Sequence, residues 1–310
     1  MIHLPDGLPA LQALRAEGTV CASYLLQQAA VAGVPGDGSL RVLFLNLMPE
    51  KEQAELDVCR VLAASKLDVQ LIPVRFRGQT YKTTPQAHME SFYLEVEAVQ
   101  GAFFDGLIIN GAPLEHLPYA EVRYWDAFCR LMDWAGNHVR STFHVCWGAQ
   151  AGLYYHYGIP KFPLREKRFG VYVHRVLCPD SPLLRGLPAD FPVPVSRHTE
   201  VRAIDFQNTP VRIVATDARG GVGLAVDEAA RRVFSIGHLE YEPLRLAREY
   251  QRDVALGRPI ALPGNYYEGD NPAAPVRHVW RTAAELVYGN WLRYYVAPGN
   301  FFQDPAVTKN

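Results

Sequence analysis

Residues 41–47 read RVLFLNL, and they are followed by EKEQAELDVCRVLAASK at 50–66 and by DVQLIPV at 68–74. The first and third segments are continuous apolar runs of strand length, which is typical of strands that helices cover on both faces. The middle segment carries its apolar residues at helical spacing. A strand–helix–strand unit of this kind predicts neighbouring parallel strands.

The alternation of strands and helices continues toward the middle of the chain. FDGLIIN at 104–110 and STFHV at 141–145 predict two more buried strands. Helices are expected near 120–135 and from Trp147 onward. We therefore predict an α/β fold built on a doubly wound, mostly parallel sheet.

Beyond residue 170 the pattern changes to short strand-like runs separated by turns, which are GVYVHRVL, EVRAIDF, VRIVATD, VGLAVDE and RRVFSIG. Runs of this kind predict an antiparallel excursion from the parallel sheet. Two more helices are expected, at 242–256 and 276–294.

Domain organisation follows from the absence of any Pro-rich or Ser/Gly-rich linker. We predict one α/β domain at 41–296. Residues 1–40 are expected to form an irregular arm with one short helix, ending in the turn-rich VPGDGS, and residues 297–310 a C-terminal tail.

Composition excludes several classes of protein. A net charge of −1 leaves no electrostatic footprint for nucleic acid or for a membrane surface. The five cysteines include no CxxC pair and have no ligand-like spacing with histidine, so we predict neither a metal site nor a bound cofactor. An odd cysteine count without a secretion signal or a membrane-spanning stretch favours reduced thiols in a soluble, cytoplasmic protein.

The segment STFHVCWG at 141–148 has the form of a nucleophile elbow. An apolar strand leads directly into Cys146, and Gly148 follows at the start of the next predicted helix. Such a turn exposes the side chain and directs backbone N–H groups toward it, at a helix end that favours negative charge. Cys146 is therefore a candidate nucleophile. The alternative is a buried, inert cysteine at the end of a strand.

A base for this cysteine is offered by the segment GHLEY at 237–241, directly after the strand-like run RRVFSI. His238 could accept the thiol proton, and Glu240 could orient the imidazole ring. The alternative for His238 is a histidine that caps a turn at a strand end.

At this point the chain resembles the homoserine O-acyltransferases, a family related to the class I glutamine amidotransferases. The resemblance runs in order from about residue 41 to 296, and it rests on LNLMP at 45–49, GAP at 111–113, YW at 124–125, CWGAQA at 146–151, YGIPK at 157–161, SRHTE at 196–200, GH at 237–238 with EY at 240–241, RD at 252–253 and NWL at 290–292. It implies a flavodoxin-like fold of the glutamine amidotransferase type. It also implies a transferase of amino-acid biosynthesis that serves methionine synthesis.

The resemblance implies a role for each matching residue. Cys146 would carry the acyl group as a thioester, His238 would be the general base and Glu240 its partner. The backbone N–H near Trp147, with another from a second strand-end loop, would stabilise the oxyanion. Three more residues match substrate-binding positions, and they are Lys167, Ser196 and Arg252. Without the resemblance, Lys167 and Arg252 would be taken as ordinary surface charges.

The acyl donor is predicted from Glu115, four positions after Gly111. In the family, glutamate here accompanies acetyl transfer and glycine accompanies succinyl transfer, so acetyl-CoA is expected as co-substrate. The physics agrees, because a carboxylate would repel the longer, negatively charged succinyl group. The alternative is that Glu115 begins or caps the helix near residue 120.

The predicted function is therefore homoserine O-acetylation through an acyl-Cys146 intermediate, with acyl-CoA and a hydroxy amino acid as small-molecule substrates. Succinyl-CoA as donor and serine as acceptor remain alternatives, since serine and homoserine differ by one methylene. Leu239 stands where the family has proline, and Gln79 where it has histidine, which leaves the acceptor open. A glutamine amidotransferase-like amidase is a more distant alternative, because no glycine stands two residues before Cys146. The Tyr-, Trp- and Leu-rich stretch near 286–296 would suit a homodimer interface.

Overall fold

A computed structural model describes residues 1–30 and 38–299 of the chain. Twelve strands in this part form one sheet, and in chain order they are β1 (Ile2–Pro5), β2 (Cys21–Tyr24), β3 (Leu40–Leu45), β4 (Val69–Arg75), β5 (Leu94–Glu95), β6 (Phe104–Ile109), β7 (Val139–Val145), β8 (Phe162–Val176), β9 (Asp190–Glu200), β10 (Arg212–Asp217), β11 (Val222–Asp227) and β12 (Arg232–Ser235).

The α-helices of the described residues are α1 (Pro9–Ala16), α2 (Lys51–Ala64), α3 (Gln86–Phe92), α4 (Val96–Val99), α5 (Trp125–His138), α6 (Trp147–Tyr157), α7 (Arg245–Ala255) and α8 (Arg281–Trp291). Helix α8 continues into a π-helical turn, Leu292–Val296.

The strand order is β2-β1-β4-β3-β6-β7-β12-β11-β10-β8-β9, and the short β5 pairs with β4. Every pair from β2 to β12 is parallel, whereas β12, β11, β10, β8 and β9 pair successively in antiparallel fashion. The predicted α/β fold with a mostly parallel sheet and an antiparallel excursion is therefore confirmed. The chain moves from β3 to β4 on one side and returns to β6 on the other, so a crevice opens at the carboxyl ends of β3 and β6.

The sheet is covered on both faces, which explains why its strands are continuous apolar runs. On one face, α2 and α8 pack together through Val58, Leu62, Val287 and Trp291, all fully or almost fully buried. On the other face, α5 and α6 bury a second cluster that includes Phe128. Each such side chain contributes about 1.5–3 kcal/mol by leaving water.

Two expectations about secondary structure need correction. The predicted irregular arm instead contributes β1 and β2, which extend the parallel sheet at one edge because their apolar side chains pack beside β4 and α2. EVRAIDF was expected to be a strand, but β9 ends at Glu200, and a 3-10 helix follows at Ala203–Phe206. Residues 34–37 of VPGDGS and 300–310 of the expected tail lie outside the described residues.

The stretch near 286–296 does not form the exposed surface that a dimer interface would need. Tyr288, Trp291, Leu292, Tyr295 and Val296 each have 0% relative exposure, since α8 and its π-helical end pack against the sheet. The described helices include none that is both long enough and apolar enough to cross a bilayer.

Candidate active site

Cys146 occupies the turn between strand β7 and helix α6. Its φ of 53° is unusual for a residue other than glycine, and such a conformation costs about 1–3 kcal/mol and is found mostly at functional sites. Its backbone N–H donates to the carbonyl of Ser235 at 2.7 Å, which ties the turn to the end of β12. The chain therefore has the strand–turn–helix form that STFHVCWG predicts.

Two glycines allow the elbow to pack closely against the end of β6. A Cβ on Gly148 would lie 2.7 Å from the carbonyl oxygens of Ile109 and Asn110, so a side chain there would push α6 away from the sheet. A Cβ on Gly111 would lie 3.6 Å from the Cys146 Sγ and 3.5 Å from the His238 Cε1. Cysteine and histidine thus converge above Gly111, although 92 positions separate them in the chain.

His238 lies just beyond β12, and it is 2% exposed. Its Nδ1 bonds to the Glu240 Oε1 at 2.6 Å, which leaves Nε2 as the nitrogen for the cysteine. Burial lowers the pKa of His238, but the charges of Cys146 and Glu240, and hydrogen bonds to both, raise it to about 10. The raised pKa of His238 favours the protonated imidazole beside Cys146.

Behind Glu240 stands Tyr288 of α8, which the sequence did not single out. Burial and the neighbouring Glu240 carboxylate raise the pKa of the Tyr288 hydroxyl well above its usual value. The Glu240 Oε2 and the Tyr288 hydroxyl are both buried, and within the described chain neither has a hydrogen bond of ordinary geometry. The Tyr288 ring is held by stacking on Phe143, with centroids 4.7 Å apart. The tyrosine is thus placed to keep the carboxylate facing His238.

The cleft above Cys146 is lined on one side by helix α7. Arg245, Glu249 and Arg252 all face it, as the spacing of four and then three residues on a helix requires. The Glu249 Oε1 accepts hydrogen bonds from the Ser196 Oγ at 2.8 Å and from the Lys167 Nζ at 2.6 Å. Glu249 was not predicted, although its helical spacing from Arg252 could have revealed it.

The three predicted substrate-binding residues are placed differently from one another. Ser196 and Arg252 line the cleft with Cys146. Lys167 does not line the cleft. Its ammonium group instead forms an ion pair with Glu249, which does line it. The Arg252 side chain is 44% exposed and is oriented by Asp253, whose Oδ1 lies 2.9 Å from its Nε.

Glu115 lines the same cleft, in the loop that follows β6. It neither begins nor caps a helix, because the next turn of 3-10 helix starts at Tyr119 and α5 starts at Trp125. The alternative interpretation of Glu115 as a helix start is therefore wrong.

Two backbone N–H groups are available where an oxyanion would form. Trp147 is the first residue of α6, so its N–H has no intrahelical acceptor. The N–H of Cys146 is not available, since it already bonds Ser235. The loop of Gly111 and Ala112 also borders the cleft and can supply the second donor. Among the described residues, no group of His, Cys, Asp and Glu side chains is arranged to hold a metal ion.

Sequence comparisons agree with this geometry. A family model described as homoserine O-succinyltransferase matches residues 1–300. A protein of Geobacillus kaustophilus named homoserine O-acetyltransferase is 43% identical over 296 residues, which cover 95% of this chain and 96% of that protein. A protein of the same name from Bacteroides fragilis is 42% identical over 298 residues, covering 95% of each.

Structural comparisons bear on the fold alone, because the sequence identities are low. A glutamine amidotransferase from Thermotoga maritima covers 84% of this chain over its full length, with a TM-score of 0.56 and 12% identity. One from Methylobacillus flagellatus covers 86% of this chain and 98% of its own, with a TM-score of 0.55 and 13% identity. The fold is therefore of the glutamine amidotransferase type, as the resemblance implied.

Proposed function

Because the chain belongs to the homoserine O-succinyltransferase family and is thus an acyltransferase enzyme, we propose that it is a homoserine O-acetyltransferase. It would transfer the acetyl group of acetyl-CoA to the hydroxyl of L-homoserine. The observation that carries the proposal is the convergence of Cys146 and the His238–Glu240 pair in one cleft with Glu249 and Arg252.

The first half-reaction would acylate the cysteine. The Cys146 thiol gives its proton to His238 and its sulfur attacks the thioester carbonyl, and the resulting oxyanion accepts hydrogen bonds from the N–H groups of Trp147 and of the loop of Gly111 and Ala112. As the carbonyl re-forms, the bond to the CoA sulfur breaks, and protonated His238 gives its proton to that sulfur. Neutral His238 and acetyl-Cys146 remain.

The second half-reaction would run these steps in reverse with a hydroxyl group. Neutral His238 takes the hydroxyl proton of homoserine while the oxygen attacks the acetyl-Cys146 carbonyl. When the tetrahedral intermediate collapses, the bond to Cys146 breaks and the ester leaves. The Cys146 sulfur takes back the proton that His238 holds, and the starting state is restored. Glu240 keeps the ring oriented in both halves.

The acceptor would be recognised by both of its charges. Arg252 can grip the α-carboxylate with its planar fork, and Glu249 can accept a hydrogen bond from the α-ammonium group. Ser196 and Lys167 hold the Glu249 carboxylate in place through its Oε1. This pairing of opposite charges on α7 supports an α-amino acid as acceptor, and homoserine is proposed from the family.

Glu115 supports acetyl as the acyl group, since its carboxylate borders the cleft in which the acyl chain must lie. A succinyl group would bring a second negative charge to that place. We further propose that the enzyme is cytoplasmic and serves methionine synthesis without a resident cofactor, and its unpaired cysteines support a reducing compartment.

Mass spectrometry tests the proposal directly. Incubation with acetyl-CoA and no acceptor should add one acetyl group to the peptide that contains Cys146, and Cys146→Ala should lose both the adduct and turnover. Rates for acetyl-CoA or succinyl-CoA against homoserine or serine then identify the substrates. An adduct on Cys21, Cys59, Cys129 or Cys178 would refute the mechanism.

A further inference from the structure

A second hollow opens beside the catalytic cleft. The two share a wall formed by Met48, Pro49, Ala112 and Pro113. The cleft encloses about 110 Å³ and the neighbouring hollow about 380 Å³. We call this second hollow the side groove, and its other lining residues are Leu47, Lys51, Gln79, Thr80, Tyr81, Lys82, Thr83, Leu114 and Tyr124.

We propose that the side groove binds the pantetheine arm of the acyl-CoA donor, and that Lys82 contacts one of its phosphate groups. The inference rests on the proposed acyl-CoA chemistry at Cys146. It adds a path for the donor that the catalytic residues do not define.

The first argument is one of space. The cleft above Cys146 is too small for anything beyond an acyl group and a short acceptor. Glu249 and Arg252 also line it, and their charges suit the amino acid. The long tail of the donor must therefore leave by another route, and the side groove adjoins the cleft directly.

The second argument is the chemistry of the groove walls. Next to the cleft the lining is apolar, with Leu47 and Leu114 beside the shared wall, and this suits the methylene and dimethyl groups of pantetheine. Gln79 and Thr80 offer donors and acceptors for its two amides, and the Thr83 hydroxyl oxygen offers a further acceptor.

The third argument concerns the two lysines of the groove. The Lys51 Nζ is already engaged, because it donates to the carbonyls of Asn46 at 2.7 Å and Met48 at 3.0 Å. These two hydrogen bonds brace the loop after β3, and burial lowers the pKa of Lys51 to about 8. Lys82 is exposed and, within the described chain, has no carboxylate partner. It is the groove's free cation, and phosphate is the ligand that such a point charge binds.

The groove is also held in shape from both sides. The Thr83 and Thr84 hydroxyls donate to the carbonyl of Pro49, which joins the loop of Lys82 to the shared wall. Phe76 stacks on Tyr124, with centroids 5.5 Å apart, and fixes the start of the same loop. Binding would therefore require little ordering of this loop.

Acylation of Cys146 by donors of decreasing length tests the inference. The donors are acetyl-CoA, acetyl-dephospho-CoA and S-acetylpantetheine, and the readouts are kcat/KM for adduct formation and the Kd of free CoA. Lys82→Ala should lower kcat/KM for acetyl-CoA and weaken CoA binding by roughly tenfold each, as expected for the loss of one ionic contact to phosphate. S-acetylpantetheine, which has no phosphate, should react with Lys82→Ala as with the wild type.

Two further variants serve as controls. Lys82→Arg should restore most of the activity with acetyl-CoA, and Arg219→Ala, an exposed cation in the turn between β10 and β11, should have no effect. A loss confined to acetyl-CoA would assign Lys82 to the 3′-phosphate, and a loss with acetyl-dephospho-CoA as well would assign it to the pyrophosphate. Equal losses with acetyl-CoA and S-acetylpantetheine, or no loss with either, would overturn the inference. If no donor acylates wild-type Cys146, the proposed function itself fails, and the side groove assignment fails with it.

Discussion

At the scale of single residues, the set formed by Cys146, His238 and Glu240 has a further buried neighbour, Tyr288, which lies beside Glu240. A carboxylate buried to the extent of Glu240, at 6% exposure, needs partners for both oxygens, and His238 satisfies only one of them. Tyr288 is the neighbour whose hydroxyl can approach the rest of the carboxylate. We therefore expect this tyrosine to act through Glu240 on the orientation of His238.

Tyr288→Phe removes that hydroxyl and leaves the stacked ring in place. The loss of this polar neighbour of Glu240 should cost no more than one buried hydrogen bond, about 0.5–1.5 kcal/mol, so kcat should fall by up to about tenfold. KM for both substrates should stay close to that of the wild type, because the cleft lining is untouched. The control is Tyr24→Phe, which removes a half-buried hydroxyl bonded to the Leu71 carbonyl at the remote sheet edge. Equal loss of kcat in both variants would show that Tyr288 has only a structural role.

Glu115→Gly tests donor choice, also at the residue scale. Removing the carboxylate frees space in the cleft and removes the charge that would repel a succinyl group. We expect the ratio of kcat/KM for succinyl-CoA over acetyl-CoA to rise by roughly tenfold or more, which corresponds to about 1.4 kcal/mol. Steady-state rates with both donors measure it. A wild-type enzyme that already prefers succinyl-CoA would contradict the donor assignment and leave the Cys146 mechanism intact.

At the scale of secondary-structure elements, the site is assembled from segments that follow parallel strands. Asn46, Asn110, Cys146 and His238 follow β3, β6, β7 and β12, and parallel strands bring all four loops to one edge of the sheet. Asn110 joins two of these loops, donating to the Asn46 Oδ1 at 2.9 Å and accepting from the Leu47 N–H at 2.6 Å. Helix α7 then closes the cleft with one charged face.

The face of α7 predicts how acceptor binding should respond to substitution. Arg252→Lys should raise the acceptor KM by about tenfold, because lysine cannot reproduce a planar two-point contact. Glu249→Gln should have a similar effect with homoserine but almost none with 4-hydroxybutanoate, which lacks the ammonium group. Pre-steady-state acylation of Cys146 by acetyl-CoA is the internal control and should be nearly unchanged. Equal damage to acylation and to acceptor transfer would mean that α7 acts structurally.

At the scale of the whole molecule, the protonation of His238 makes the stability of the folded protein depend on pH. The pKa of His238 in the folded protein is raised to about 10, above the value near 6.5 of an unfolded histidine. Protonation of His238 therefore favours the folded state. This stabilisation is fully present below about pH 6.5 and is lost as the pH rises through 10.

His238→Gln removes this titration and makes the coupling measurable. The free energy of unfolding of the wild type should exceed that of the variant by an amount that shrinks steadily between about pH 7 and pH 10. Urea denaturation at several pH values in this range provides the measurement. A difference that is independent of pH would show that His238 is not protonated in the folded protein.

Local sequence was sufficient for the strands that are continuous apolar runs and for the helices that follow them. RVLFLNL, FDGLIIN and STFHV became β3, β6 and β7, because hydrophobic periodicity over a few residues decides such elements. The elbow at Cys146 could also be predicted from the sequence, since a strand, a cysteine and a glycine-containing helix start follow one another directly. The strands of residues 1–40 could not be predicted in this way, because β1 and β2 are short and form only by pairing with β4 and with each other.

The chain by itself thus determined its fold class, the elbow and the candidate base, since each depends on neighbours in sequence. Tertiary structure alone decided what surrounds them. Glu249 gained its place between Ser196 and Lys167, and Tyr288 reached Glu240, only when residues 48 to 82 positions apart were brought together. The tertiary structure also places Lys167 outside the cleft lining and buries the aromatic residues near 286–296. The physical reason is that burial and charge pairing depend on distances in space, which periodicity along a chain does not encode.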